Sequence, residues 1–278
     1  MAHADSWWLK VKRAQKHMID IKREAGVYAG RHPYELVRVH KPESQRKVEY
    51  RVRLIEQPDP MIAVMLGDFV HNLRSALDHI IVASVPNKRR FKASFPILFD
   101  DIWARDTNGD FVIDDADRRT NFESAIAGLV PEARTLVVQV QPYHFGTDRF
   151  VWPIGIISRL ENADKHRTLI TVGGGVFNPI VTQSIRGETQ IVPHPLGDGS
   201  YMKEGTVVGW SWKPATDMGD VRPSEVQMEY SGTAKILVQI TGGGRNEPAS
   251  KYELFPLMRD TIRDVRMLLR RLEPFVRR

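Results

Sequence analysis

One stretch constrains the fold of this chain more than any other, residues Met61–Ser84, which read MIAVMLGDFVHNLRSALDHIIVAS. At about 100° of turn per residue, its apolar side chains gather on one side: Phe69, Val70, Leu73, Ala76, Leu77, Ile80 and Ile81. An apolar side of this kind, opposite a polar side, predicts a helix packed against a hydrophobic core. We therefore expect the rest of the chain to be arranged around this helix.

The opposite side of the predicted helix is polar, and its composition is unusual. A plain solvent-facing surface is rich in Lys and Glu, and this one has neither. Its members are short or titratable groups suited to fixed hydrogen bonds: Asp68, His71, Asn72, Arg74, Ser75, Asp78 and His79. We take this face as the candidate functional site.

The first 167 residues otherwise favour helices and one hairpin. Residues 5–25 have helical spacing, with Ser6 as a possible cap. Residues 34–40 and 47–55 alternate as the two strands of a hairpin, and prolines separate this hairpin from the central helix. Further helices are predicted at 118–129, 131–141 and 151–167, the second of them begun by Pro131.

The composition changes after residue 167, where Gly and β-branched residues become frequent. Strands are predicted at 169–172, 183–192, 205–212, 225–230 and 235–241, with the Gly triplets 173–175 and 242–244 as turns. A basic helix at 252–271 closes the chain. The fold class is therefore α+β. A mainly helical region, 1–167 with hairpin 34–55, precedes a strand-rich region, 168–278, which is either separate or merged with it.

Composition excludes several classes of function. The 278 residues contain no Cys, which rules out disulfides, thiol catalysis and thiolate metal sites. No apolar run reaches the length of a membrane span, and the N-terminus has no signal-peptide pattern, so we expect a cytoplasmic protein without membrane contact. A net charge of +6 fits an anionic partner such as nucleic acid, and equally a basic protein without one.

Residues 106–117, DTNGDFVIDDAD, resemble a calcium loop of the EF-hand or dockerin kind. Acidic or amide residues occupy its first, third, fifth, ninth and twelfth positions: Asp106, Asn108, Asp110, Asp114 and Asp117. Phe111 stands where such loops need Gly for a sharp turn. We therefore favour an acidic turn over a calcium site and expect no cofactor, while calcium binding stays an open alternative.

The central helix contains Arg74 and His79 separated by four residues. Here the sequence resembles the HEPN superfamily, helical proteins that include metal-independent ribonucleases of toxin and antiviral defence systems. Their signature is an Arg, four to six residues, and a His. The residue after that Arg is usually Asn, Asp or His, and in this chain it is Ser75. The resemblance implies RNA as the substrate, no metal, and a homodimer that builds the catalytic groove.

The residue types suit RNA cleavage, in which the 2′-hydroxyl attacks the neighbouring phosphate. An imidazole moves a proton near neutral pH, and a guanidinium stabilises the developing charge. We therefore assign His79 to acid–base catalysis and Arg74 to the phosphate, with Ser75 and Asp78 assisting. Supporting candidates are His71, Asn72, Asn162 and His166. Because Arg74 and His79 lie roughly 140° apart on the helix, they reach one substrate only from the two flanks of a groove.

Three alternatives stay open. The polar face can be an internal hydrogen-bond network against Asn162, Lys165 and His166, in a catalytically silent binding or structural protein. His71, Asp78 and His79 with Asp164 or His166 can bind a metal, although no HExxH spacing appears. The first helix can contact RNA through Trp7, Trp8, Lys10, Lys12 and Arg13, although a Trp at a helix start is more often core. The loop after the central helix contains a basic cluster: Lys88, Arg89, Arg90 and Lys92.

Overall fold

The computed structural model describes residues 5–40, 47–113, 115–165, 171–185, 188–192, 201–202, 205, 207–212, 226–240 and 250–277. Its α-helices are α1 (Ser6–Gly30), α2 (Met61–Ser84), α3 (Ala116–Ile126), α4 (Pro131–Gln139), α5 (Pro153–Lys165) and α6 (Leu254–Leu272). Its strands are β1 (Tyr34–His40), β2 (Lys47–Leu54), β3 (Thr171–Ile185), β4 (Glu188–Val192), β5 (Tyr201–Met202), β6 (Val207–Trp212), β7 (Val226–Ile240) and β8 (Ser250–Glu253). The α+β class, with an N-terminal hairpin and a C-terminal helix, is confirmed.

Contacts between residues group the chain into two compact units. The first comprises Met1–Lys22, Met61–Thr171 and Val238–Arg278, and the second comprises Arg23–Pro60 and Val172–Leu237. These boundaries differ from a single division after residue 167. The reason is that α6 packs on α2 and α5, while the early hairpin pairs with the later strand β6.

The first unit is built around α2, which packs against α5 and α6. Every residue predicted on the apolar side of α2 is buried, and so are the inward-facing residues predicted for α6: Ile262, Val265, Leu268, Leu269 and Leu272. Burial of a Leu or Ile side chain stabilises a fold by about 1.5–3 kcal/mol, so this shared core fixes α2 firmly. None of the described helices, α2 included, is long and apolar enough to cross a membrane.

Local signals set the ends of the helices around this core. The Asp115 carboxylate accepts a hydrogen bond from the Arg118 backbone N–H at 2.8 Å, so α3 begins at Ala116, two residues before the predicted start. Pro131 lies in the first turn of α4, as predicted. The 3-10 helix Asn87–Lys92 lies in the connection before α3. The connection before α5, Pro142–Phe150, consists of two short 3-10 turns separated by non-helical backbone at Phe145 and Gly146.

The second unit contains the predicted hairpin. Strands β1 and β2 pair antiparallel, from Tyr34 opposite Leu54 to His40 opposite Val48, and β6 pairs with the other edge of β2. The buried Glu49 carboxylate lies 2.8 Å from Arg51 Nη2. A second sheet has the order β4-β3-β7-β8, with β5 also paired to β3.

Three predictions about the strand-rich region are wrong. The strand predicted at 183–192 is two strands, since β3 ends at Ile185 and pairs antiparallel with β4, which begins at Glu188. Residues 173–175 lie within the continuous strand β3 instead of forming a turn, and β7 is one strand where two were predicted at 225–230 and 235–241. A Gly has a backbone N–H and a carbonyl like any other residue except Pro, so it can take part in strand pairing. In β3 the pairing next to the triplet runs from Val176 opposite Met202 to Ile185 opposite Glu188, and the strand continues through the glycines. The triplet 242–244 lies outside the described residues.

Candidate functional site

Arg74 is held between two carboxylates. Its Nη2 atom lies 3.2 Å from Asp78 Oδ1, one helical turn along α2, and its Nε atom lies 3.7 Å from Glu161 Oε2 on α5. The side chains of Arg74 and Glu161 are only 18% and 12% exposed. The guanidinium therefore joins α2 to α5 at a largely buried position, where an ion pair is screened little by solvent.

Asp78 has a second partner. Its Oδ1 atom accepts a hydrogen bond from the Phe95 backbone N–H at 2.8 Å. Phe95 is fully buried and follows the 3-10 helix Asn87–Lys92. One carboxylate thus binds both the guanidinium of Arg74 and the connection that leads from α2 towards α3.

His79 faces a different neighbour. Its Nδ1 atom lies 3.1 Å from the Ser6 hydroxyl oxygen at the start of α1. Burial lowers the pKa of His79 below its ordinary value of 6.5, and the positive charge of Lys10 lowers it further, while Asp78 acts in the opposite direction. The imidazole is therefore mainly neutral at pH 7.

Arg74 and His79 contact different neighbours of α2. Arg74 pairs with Glu161 of α5, and His79 meets Ser6 of α1. This divergence follows from their separation of roughly 140° around the helix. Within one chain, the arrangement connects three helices.

The supporting candidates fall into different environments. Asn72 is buried, and its Nδ2 atom donates to the Asp68 carbonyl at 2.7 Å. His71 and Asn162 are exposed, and Ser75 is half-buried. His166 lies outside the described residues, as do the side chains of Asp164 and Lys165. On α5, the residue that pairs with Arg74 of α2 is Glu161, next to the predicted Asn162.

Sequence reasoning missed the partners that complete this cluster: Ser6, Lys10, His17, Glu161 and the backbone of Phe95. His17 on α1 is buried, and burial together with Arg13 lowers its pKa, which Asp68 raises. The only available signal for Glu161 was its place beside the buried positions Ile157 and Leu160 on α5. No sequence pattern identifies the backbone N–H of Phe95 as the hydrogen-bond donor to Asp78.

The acidic loop at 106–117 is organised by its own contacts. Asp106 Oδ1 accepts the backbone N–H groups of Asn108 at 2.9 Å and Asp110 at 3.0 Å. The Phe111 ring lies between two guanidiniums, 4.0 Å from that of Arg105 and 3.7 Å from that of Arg119. A dication here would meet two fixed positive charges, which disfavours calcium.

Asp114, the ninth position of that loop, lies outside the described residues. Elsewhere in the described chain, no group of three or more His, Cys, Asp and Glu residues is placed to hold a metal ion. Among the described residues, His71, Asp78 and His79 belong to no such group, and the α5 ligands of the metal alternative, Asp164 and His166, could not be part of this comparison because the side chain of the first and the whole of the second lie outside the described part.

The two basic, aromatic stretches behave differently. In α1, Trp7 is buried and Trp8 donates from Nε1 to Glu273 Oε1 at 2.9 Å, in keeping with the core alternative. In the 3-10 helix Asn87–Lys92, Phe91 is 80% exposed and its cationic neighbours Lys88, Arg89 and Lys92 are exposed as well. The second stretch presents a largely exposed aromatic ring to solvent, whereas Trp8 of the first stretch is half-buried.

Comparisons with protein-family models, curated proteins and solved structures give no match for this chain. The HEPN resemblance therefore rests on the Arg74–His79 motif alone and stays a hypothesis.

Proposed function

We propose that this is a non-catalytic binding protein in which the polar face of α2 is an internal scaffold. The observation that carries the proposal is the position of Arg74 between Asp78 and Glu161. The positive charge of a guanidinium that pairs with two carboxylates is already neutralised. Its attraction for a phosphate is therefore weak. If Arg74 left this position to bind a phosphate, the poorly solvated Glu161 carboxylate on α5 would lose this ion pair.

The scaffold has a specific task in this proposal. Asp78 fixes the backbone of Phe95, and through it the connection that contains the exposed 3-10 helix Asn87–Lys92. Hydrogen-bonded networks of this kind hold neighbouring elements in one arrangement. With a net charge of +6, the surface held in this way suits an anionic partner. We propose RNA as that partner and the cytoplasm as the place of action.

The first experiment incubates the wild-type protein with mixed cellular RNA in EDTA and, in parallel, measures the melting temperatures of Arg74→Ala and His79→Ala. We expect intact RNA and lower melting temperatures for both variants. The control is His71→Ala, because His71 is exposed on the same helix. Its melting temperature should match that of wild type. RNA cleavage together with unchanged melting of all variants would contradict the scaffold proposal.

A second candidate is a metal-independent, HEPN-like endoribonuclease of a toxin or defence system. The observation that favours it is His79, a half-buried imidazole with a lowered pKa and a hydroxyl partner. A neutral imidazole near pH 7 is the form that accepts a proton from a 2′-hydroxyl. Since Arg74 pairs with α5 and His79 meets α1 within one chain, we expect this candidate to need a second chain to complete the groove.

The nuclease candidate makes two linked predictions. Light scattering at micromolar concentration should give a homodimer, about twice the 31.8 kDa of one chain. RNA cleaved in EDTA should carry 2′,3′-cyclic phosphate ends. Loss of the acid–base group in His79→Ala should slow cleavage by about 10²–10⁴-fold, and Arg74→Ala should also abolish it. A monomer that leaves RNA intact would remove this candidate.

A further inference from the structure

The 3-10 helix Asn87–Lys92 exposes an aromatic ring among cations. Phe91 is the most exposed large hydrophobic side chain in the described part of the chain, at 80%. Single exposed apolar residues are ordinary on protein surfaces, so the exposure alone indicates little. The neighbours of Phe91 make its exposure informative. Four of the six residues in this helix are Lys or Arg, so the exposed ring lies among cations.

These cations are not engaged by acidic side chains. Within the described residues, no ion pair involves Lys88, Arg89, Arg90 or Lys92, whereas Arg74, Arg118 and Arg134 each pair with carboxylates. Arg90 is half-buried, and its Nε atom is buried without a hydrogen-bond partner in the same described part. The helix thus carries a local charge of +4 that the surrounding described structure does not neutralise.

The 3-10 geometry orders these side chains in space. Residues three apart stand above one another in such a helix, so Phe91 shares a side with Lys88, and Arg89 shares the next side with Lys92. The ammonium of Lys92 lies 5.6 Å from the centre of the Phe91 ring. At about 2.0 Å of rise per residue, the ring and its flanking cations occupy a compact surface.

Backbone hydrogen bonds fix the position of the 3-10 helix Asn87–Lys92 and of the residues that follow it. The Arg89 N–H donates to the Pro86 carbonyl at 2.8 Å, and the Ser94 N–H donates to the Ala125 carbonyl at 3.3 Å. The Phe95 N–H donates to Asp78 at 2.8 Å. A binding surface that is already ordered loses less conformational entropy when a ligand binds.

We propose that the 3-10 helix Asn87–Lys92 is a binding site for single-stranded nucleic acid. Phe91 stacks on one base, and Lys88, Arg89 and Lys92 contact the adjacent phosphates. An aromatic ring beside cations is how proteins hold single strands without reading their sequence. The inference deepens the proposed function and rests on it for the class of partner, an anionic polymer.

A lipid surface fits these observations less well. Stable attachment to a membrane generally requires two signals, such as a lipid chain or a broad apolar face together with a polybasic patch. Here a single ring, Phe91, accompanies the cations. In duplex nucleic acid the bases are already stacked, so an exposed ring gains little there.

The test is fluorescence anisotropy of the full-length protein with labelled single strands of about 12 nucleotides, one of uridine RNA and one of thymidine DNA. We expect both to bind. Phe91→Ala should weaken binding about tenfold, since stacking on one base is worth about 1–3 kcal/mol, while Phe91→Trp retains it. Val112→Ala is the control, because Val112 is an exposed apolar residue that is not part of the helix, and it should bind as wild type does.

Charge is tested separately. Lys88→Gln with Arg89→Gln should weaken binding and reduce the slope of log affinity against log salt by about 1.4, since each phosphate contact on a single strand contributes about 0.7. The matched control is Arg266→Gln with Arg270→Gln, two α6 arginines without ion pairs in the described chain. It removes the same charge elsewhere and should leave the slope unchanged.

Three results would overturn the proposal: absence of binding to either strand at low salt, equal losses in the two double variants, or Phe91-dependent binding to phosphatidylcholine–phosphatidylserine vesicles and not to the strands. The DNA arm separates this inference from the proposed function, because DNA lacks the 2′-hydroxyl that cleavage needs. RNA cleavage with intact, Phe91-dependent DNA binding would reject the non-catalytic function alone. Strand binding that does not depend on Phe91, with RNA left intact, would reject the site alone. Intact RNA without binding to either strand would reject the site and RNA as the partner, and would leave the scaffold role of α2.

Discussion

His79 couples the fold to pH through its half-buried position. Because its pKa is lowered in the folded protein, the unfolded chain binds a proton more readily than the folded chain below pH 6.5. Its contribution to stability is therefore complete above pH 6.5 and is lost as the pH falls through the lower, folded pKa. His17, whose pKa is also lowered by burial, acts in the same direction.

The pH effect can be measured directly. We expect an NMR titration of the folded protein to give His79 a pKa below 6.5. The free energy of unfolding should fall between pH 6.5 and pH 5, and His17→Gln with His79→Gln should make that fall shallower. A His79 pKa at or above 6.5, or an unchanged slope in the double variant, would contradict this prediction.

At residue scale, helical periodicity placed Arg74, Asp78 and His79 on one polar side of α2 and identified its apolar side. It did not indicate which neighbour each side chain meets. Glu161, Ser6 and the Phe95 N–H are separated from α2 in sequence, and their positions depend on how α1, α5 and the connection after α2 pack. That packing is decided by the core as a whole.

At the scale of elements, α5 depends on a close backbone approach at Gly155. A Cβ atom at this position would lie 2.4 Å from the Arg149 carbonyl oxygen and 3.1 Å from Phe99 Cε1. We expect Gly155→Ala to lower the free energy of unfolding by about 1–3 kcal/mol, as overpacking does. Chemical denaturation measures the change.

A helical Gly with free space provides the control for Gly155. Around Gly26 of α1, nothing lies within 4 Å of an added Cβ atom. Gly26→Ala should therefore leave stability unchanged or raise it by up to about 1 kcal/mol, the difference in helix propensity. Equal effects of the two substitutions would show that the approach of Arg149 to α5 is not a constraint.

The acidic loop gives a second prediction at this scale. Asp106 is engaged by two backbone N–H groups, and Phe111 lies between two guanidiniums. We expect calorimetry to show no sub-micromolar calcium affinity. Such affinity, lost in Asp106→Ala, would contradict this expectation.

Element-level reasoning succeeded where the signals were local. Amphipathic spacing found α2 and α6, and Pro131 marked the start of α4. It failed in β3 and β7, where Gly and polar residues suggested turns. In those strands, the pairing of β3 with β7, which is distant in sequence, extends the ladder through residues that alone would favour a turn.

At the scale of the whole molecule, the first unit combines a buried polar cluster with an exposed basic helix. Arg74, Asp78 and Glu161 connect α2 to α5, and Asp78 also holds the connection that carries Phe91. Net charge is compatible with an anionic partner, and the sequence suggested the first helix as its surface, where Trp7 is in fact buried. The location depends on exposure, which is a property of the folded chain.

The central claim is that Arg74 serves the fold by pairing with Glu161, and a double-mutant cycle tests it most directly. The free energy of unfolding is measured for wild type, Arg74→Ala, Glu161→Gln and the double variant. We expect Arg74→Ala to destabilise by about 1–3 kcal/mol, with a coupling energy to Glu161 of about 1 kcal/mol or more. A coupling energy of zero, with Arg74→Ala as stable as wild type, would contradict the scaffold role.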